Sequence, residues 1–176
     1  MLTVGHSNRT FEDFLELLAA HRVKLLVDVR TVPRSRHNPQ FNRESLPRKL
    51  RGAGIDYLHM PGLGGLRQAR RDSTNTAWRN ASFRGYADYM QTREFDEHLA
   101  QLIRLGKRRR VAIMCAESLP WRCHRALIAD ALAARGVPVE HIMSNAKANP
   151  HQMTEFARVE SERVTYPSAE QDLFLT

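Results

Sequence analysis

"RVAIMCAESLPWRCHRALIADALAARGVPVEHIM", Arg110 to Met143, is the stretch on which the fold turns. Arg110–Cys115 is a continuous apolar run that begins in charge and ends in polar loop, as expected of a strand covered on both faces. Beyond that loop, Cys123–Arg135 carries Ala, Leu and Ile at helical spacing, Gly136 closes it, and Val137–Met143 is again strand-like. Strand, helix, glycine and strand form the unit from which parallel sheets are wound.

The same alternation extends towards the N-terminus. Leu2–Val4 is a short apolar run, and "RTFEDFLELLAAH" places Phe11, Phe14, Leu15, Leu17 and Leu18 on one helical face with Thr10 and Asp13 as a capping pair. "VKLLVDVR" (Val23–Arg30) reads as a buried strand. A helix over Glu44–Arg51 stops at Gly52 and Gly54, and Ile55–Met60 reads as a strand. A long connection then runs to about Arg84, followed by a helix over Glu94–Leu105. The pattern predicts an α/β fold: a mostly parallel central sheet of about five strands, helices on both faces, and a site at the carboxyl edge of the strands. Residues 1–145 form one α/β domain in this reading, and 146–176 a C-terminal extension or tail that packs loosely or extends.

Composition narrows the partner. With 42% apolar and 26% charged residues in 176, the chain has the makings of a packed core rather than a disordered segment. A net charge of +8 points to an anionic small molecule or a nucleic acid. Only four of the 27 basic residues are lysine (Lys24, Lys49, Lys107 and Lys147), a skew that Arg-rich coding alone also produces. The start carries no basic-then-apolar signal, and no run approaches the roughly 18 apolar residues of a membrane span. The expectation is a cytoplasmic protein with no membrane association and reduced cysteines. No cofactor signature is present, and oligomeric state is not legible.

In an open parallel sheet, ligands gather beyond the carboxyl ends of the strands. The residues just past those ends are His6 and Ser7; Asp28, Arg30, Arg34 and Ser35; His59, Gly64 and Gly65; and Cys115 and Glu117. Cys115 stands at a strand tip, while Cys123, His124 and Arg125 open the following helix, where a helix terminus and cations favour a thiolate. On this layout Cys115 is the nucleophile, Glu117 the acid/base and His6 a third catalytic group. Ser7, Asp28, Arg30, Ser35, Gly64, Gly65, Cys123, His124 and Arg125 line the anion-binding side. Cys-x7-Cys-His is not the usual pairing of a structural zinc site, so no metal is expected. A reversible Cys115–Cys123 disulfide, or two thiols packed for volume alone, are open alternatives.

The strand–cysteine–loop–helix layout also resembles rhodanese-like and cysteine-phosphatase sites, and "LLVDVR" resembles the Asp-x-Arg strand of rhodanese domains. Those sites carry an arginine five or six positions after the cysteine in a compact anion loop. Here the spacing to Arg122 is Cys-x6-Arg, and Glu117 inside the loop would repel a cradled phosphate. Taken together, "TVGHSNRTFEDFLELL", "LLVDVRTVPRSRHNPQFN", "LGG", "FRGYADYM" and "CAESLPWRCHR" resemble the domain-of-unknown-function family 488 from about Leu2 to about Met143. The resemblance implies that His6, Ser7, Asp28, Arg30, Pro33, Ser35, Gly64, Gly65, Cys115, Glu117, Cys123, His124 and Arg125 are motif positions, without implying a reaction.

The alternative is a nucleic-acid-associated protein. It would use "TVPRSRHNPQFNR" (31–43) and "RQARRDSTNTAWRN" (67–80) as basic loops, with Phe41 and Trp78 stacking on bases. At the end of the chain, "EQDLF" (Glu170–Phe174) resembles peptides that dock on bacterial sliding clamps, with Glu in the first position.

Overall fold

The computed structural model of the chain describes residues 1–168; "EQDLF" lies outside the described residues. Six strands form the central sheet: β1 (Leu2–Gly5), β2 (Leu25–Asp28), β3 (Asp56–His59), β4 (Val111–Cys115), β5 (Glu140–Ser144) and β6 (Lys147–Pro150). Their order is β3-β2-β4-β1-β5-β6. The first five strands run parallel and β6 turns back antiparallel on β5. This is the expected α/β sheet, with one strand more than the apolar runs suggested.

The strand side chains alternate between two cores, which is why the runs read as continuously apolar. Leu25, Val27, Val111 and Ile113 face one side with α3 (Ala81–Tyr89), α4 (Arg93–Arg108) and α5 (Arg125–Ala134). Leu26, Ala112 and Met114 face the other with α1 (Phe11–Ala20) and α2 (Leu46–Gly52). On α1, Thr10 accepts from the Asp13 N–H as the predicted cap, and Phe14, Leu17 and Leu18 are fully enclosed. Each such side chain contributes roughly 1.5–3 kcal/mol by leaving water.

Two segments differ from expectation. The connection after β3 contains a helix, α3, capped by Asn80 accepting from the Ser82 and Phe83 N–H groups. It escapes sequence reading because five consecutive residues, Gly85 to Tyr89, are buried, so no amphipathic stripe exists. Its Asp88 accepts from the Arg70 N–H, Ser73 and Asn75, and so pins the 70–75 loop. The extension after Ser144 is not loose over the described residues. It supplies β6 and the hairpin β7 (Arg158–Glu160) and β8 (Arg163–Thr165), and its fully buried Tyr166 donates to Asp130 of α5 at 2.8 Å.

The register fixes the site. β4 lies between β1 and β2, with Gly5 opposite Cys115 and Asp28 opposite Met114. Pairing of the β1 and β4 edges continues beyond the strands, where the His6 and Ser7 N–H groups donate to the Cys115 and Ala116 carbonyls. The loop after Cys115 then crosses the end of β1 so closely that a Cβ on Gly5 would stand 1.9 Å from the Glu117 carbonyl oxygen. Only glycine admits that crossing.

Candidate functional site

The turn after β2 is a buried ionic clamp. Asp28 is fully enclosed and receives Arg30 in a two-point pair, Nε at 2.9 Å and NH2 at 2.6 Å, together with the Arg30 N–H and the Tyr57 hydroxyl. Burial, with the Asp28 charge, pushes the Tyr57 hydroxyl well above its ordinary range. Arg30 also donates to the Phe41 carbonyl and to His6 Nε2. His6 therefore carries its proton on Nδ1, donated to the Ser7 carbonyl at 2.7 Å, and its ring stacks on Phe41. Burial, reinforced by the Arg30 charge, lowers its pKa to about 4. Of the five guanidinium N–H groups of Arg30, one is left for any ligand.

Beside this clamp the second cluster holds the chemistry. Cys115 at the tip of β4 and Cys123 at the entrance to α5 touch through their sulfurs, 2.7 Å apart, and both are free thiols. Arg125 passes beneath them, 1% exposed. It donates from Nε to Cys115 Sγ at 2.9 Å and from NH2 to the Glu117 and Ser118 carbonyls. Among the described residues no carboxylate makes an ion pair with this guanidinium. A buried cation without a counter-charge costs several kcal/mol, and the groups within reach that can ionise to supply one are the two thiols.

The neighbours of Cys123 favour that charge on its sulfur. Cys115 Sγ lies 2.7 Å away, either sulfur being able to donate to the other; the Arg125 backbone N–H donates to Cys123 at 3.5 Å; and His124 Nδ1, at 3.5 Å, is placed to take its proton. The Cys115 hydrogen bond, outweighing burial and aided by His124 and Arg125, holds the Cys123 thiol well below the usual thiol range. Burial, and the Cys123 sulfur it must donate to, push Cys115 well above it. The two thiols thus titrate as a coupled pair, with Cys123 the first to ionise. His124 is held by Nε2–H donation to the Val29 carbonyl and packs so tightly on the "LGG" loop that a Cβ on Gly65 would lie 2.5 Å from Nδ1.

Arg125 is steadied from the other side by a directed chain of hydrogen bonds. Its NH1 donates to Thr3 Oγ1, Thr3 to His141 Nδ1, His141 Nε2–H to His151 Nδ1, and His151 Nε2–H to Asp130. The Asp130 carboxylate, fully buried, anchors both tautomers and also accepts from Thr154 and Tyr166. Burial, with His151 and the Arg125 charge close by, lowers the His141 pKa to about 4. Thr3, Asp130, His141 and His151 escape the sequence reading, because three of them sit inside ordinary strand or helix patterns and nothing local marks a partner 138 positions away.

A cavity of about 400 Å³ opens over the sulfurs. Cys115, Glu117, Cys123, His124, Arg30 and Gly65 line it, with Val32, Leu66 and Phe83 as apolar walls and Arg122 at its side. The remaining candidates stand behind it. His6 and Asp28 belong to the clamp; Ser7 turns at φ 52° towards Asn8. Ser35 accepts from the Asn38 N–H. The Gly64 N–H donates to the Pro61 carbonyl, and its own carbonyl accepts from Arg67. Arg122, exposed and with no side-chain ion pair or hydrogen bond among the described residues, is the cation most open to a ligand, whereas Arg30 and Arg125 each give four of their five N–H groups to the protein. One Glu117 oxygen accepts from Ser118 Oγ and the Leu119 N–H. Phe41 is fully buried, so the expected base-stacking role falls for it; among the described residues the exposed aromatic is Trp121, 61% accessible, in the loop beside Arg122.

Sheet order, strand-edge location and paired sulfurs define an α/β domain with a thiol centre at the carboxyl end of its middle strand. The chain belongs to the family described as domain of unknown function DUF488, whose model matches residues 10–132, from α1 into α5. The "GHS" turn and strands β5 to β8 lie outside the matched segment. No curated protein and no solved structure matches the chain. Among the described residues no helix is long and apolar enough to cross a membrane.

Proposed function

We propose that the chain is a thiol-dependent enzyme acting on a small anionic substrate, phosphorylated or nucleotide-like. The observation that carries this reading is a buried guanidinium, with no carboxylate partner among the described residues, that donates to a cysteine pair opening into a ligand-sized cavity. In this scheme Cys123, not Cys115, is the nucleophile: it has the donors that stabilise a thiolate and the greater access, 7% against 3%. His124 Nδ1 exchanges the sulfur's proton, Arg122 meets the substrate's negative charge, and Val32, Leu66 and Phe83 take its apolar portion. Glu117 keeps one carboxylate oxygen without a protein donor, so it can pass a proton to a leaving group. His6, Asp28 and Arg30 hold the cavity's wall rather than touch substrate.

The test is thermal-shift screening with nucleoside phosphates and other small anions, repeated on Arg122→Glu and on protein alkylated at Cys123. A stabilising anion lost in both supports the reading; binding indifferent to both removes it. A second reading, nucleic-acid association, draws on the exposed Arg34, Arg36, Arg43, Arg70, Arg71 and Arg79 and on Trp121. It requires affinity for DNA or RNA that falls steeply with salt, and absence of binding at low salt ends it.

A further inference from the structure

We propose that Cys115 and Cys123 are a dithiol–disulfide exchange centre, with Cys123 attacking and Cys115 resolving, and that the substrate class is a small anionic disulfide or persulfide. This rests on Cys123 being the nucleophile and adds the kind of bond it attacks. The two sulfurs are already in contact, eight positions apart, across a loop folded back by the Arg125 bonds to Glu117 and Ser118. Solitary nucleophiles have no such neighbour. Both sulfurs line the cavity, so a substrate sulfur reaching Cys123 leaves Cys115 behind it, in position for the second attack.

The chemistry balances without a metal. The Cys123 thiolate attacks one sulfur of R–S–S–R′; that S–S bond breaks, a Cys123–S–S–R bond forms, and R′–S⁻ leaves and takes a proton. Cys115 then gives up its proton and attacks Cys123 Sγ, the mixed disulfide breaks, and R–S⁻ leaves protonated. The substrate has gained two electrons, and the protein holds a Cys115–Cys123 disulfide, which a low-molecular-weight dithiol reopens by the same exchange. The geometry favours that reopening. Closing the disulfide removes the thiolate and leaves Arg125 buried without its counter-charge, so the reduced pair is the stabilised form.

Glutathione disulfide, anionic and small, is a suitable probe. Reduced protein is incubated with it in excess at neutral pH, quenched with iodoacetamide and read by intact mass and non-reducing peptide mapping. The expected result for wild type is an internal Cys115–Cys123 link with no retained glutathione, reversed by dithiothreitol. Cys115→Ser, and Cys115→Ala as a second replacement, should each retain one glutathione on Cys123, while Cys123→Ser retains none. Circular dichroism checks each fold. Wild type that keeps a stable glutathione on Cys123, or keeps both thiols free while Cys115→Ser forms the adduct, overturns the exchange centre and spares the nucleophile. A Cys123 that neither glutathione disulfide nor iodoacetamide modifies in any of these proteins overturns both.

Discussion

Arg125 has five N–H groups and spends four of them on a sulfur, a hydroxyl and two carbonyls. Replacing it with Met leaves the Glu117 and Ser118 carbonyls without their donor and removes the cation that bonds Cys115 and favours an ionised sulfur on the pair. The expected cost is about 3–5 kcal/mol in urea denaturation, with Cys123 alkylation moved to higher pH. An unchanged alkylation profile in a folded Arg125→Met protein would show that the charge resides elsewhere. Gly65→Ala separates electrostatics from folding more cleanly. Its Cβ must push the His124 ring from 2.5 Å, so the pH midpoint for Cys123 alkylation should rise while circular dichroism stays the same. A midpoint that does not move would mean His124 does not assist the sulfur.

At the scale of elements, strand tips were readable because buried parallel strands announce themselves as apolar runs, and those tips put Cys115, Asp28 and His6 on one edge. What a guanidinium does at that edge was not readable. Arg30 and Arg125 look like anion binders in sequence, but register across β1, β2 and β4 hands their donors to Asp28, His6, Thr3 and Cys115. Helix α3 and the strands after Ser144 were missed for a related reason: their contacts are with distant segments rather than with a periodic face of their own. Tyr166 shows this, tying the end of the described chain to α5 through Asp130. Tyr166→Phe removes that donor while keeping the ring packed on Trp78, and is expected to lower stability by about 1–2 kcal/mol. A change within error would mean that apolar packing alone holds the hairpin.

For the whole molecule, two histidines on opposite sides of the site, His6 and His141, are buried neutral with pKa values lowered to about 4. The unfolded chain binds their protons near pH 6.5 and the native state does not until about pH 4. Stability should therefore be at its full value above pH 6.5 and fall as pH drops through that window, by an amount on the order of 2–3 kcal/mol per histidine. Denaturant midpoints across that range measure it, and a flat profile would show both rings charging without loss. The clamp and the relay thus stiffen a scaffold around the one place where charge is left on sulfur. The ultraviolet absorbance of thiolate, titrated from acid to alkaline pH in wild type and Cys123→Ser, tests that charge directly. One thiolate per chain should already be present at neutral pH in wild type and missing in the variant, with the second appearing only far into the alkaline range. Two cysteines that both titrate together near the ordinary thiol range would contradict it.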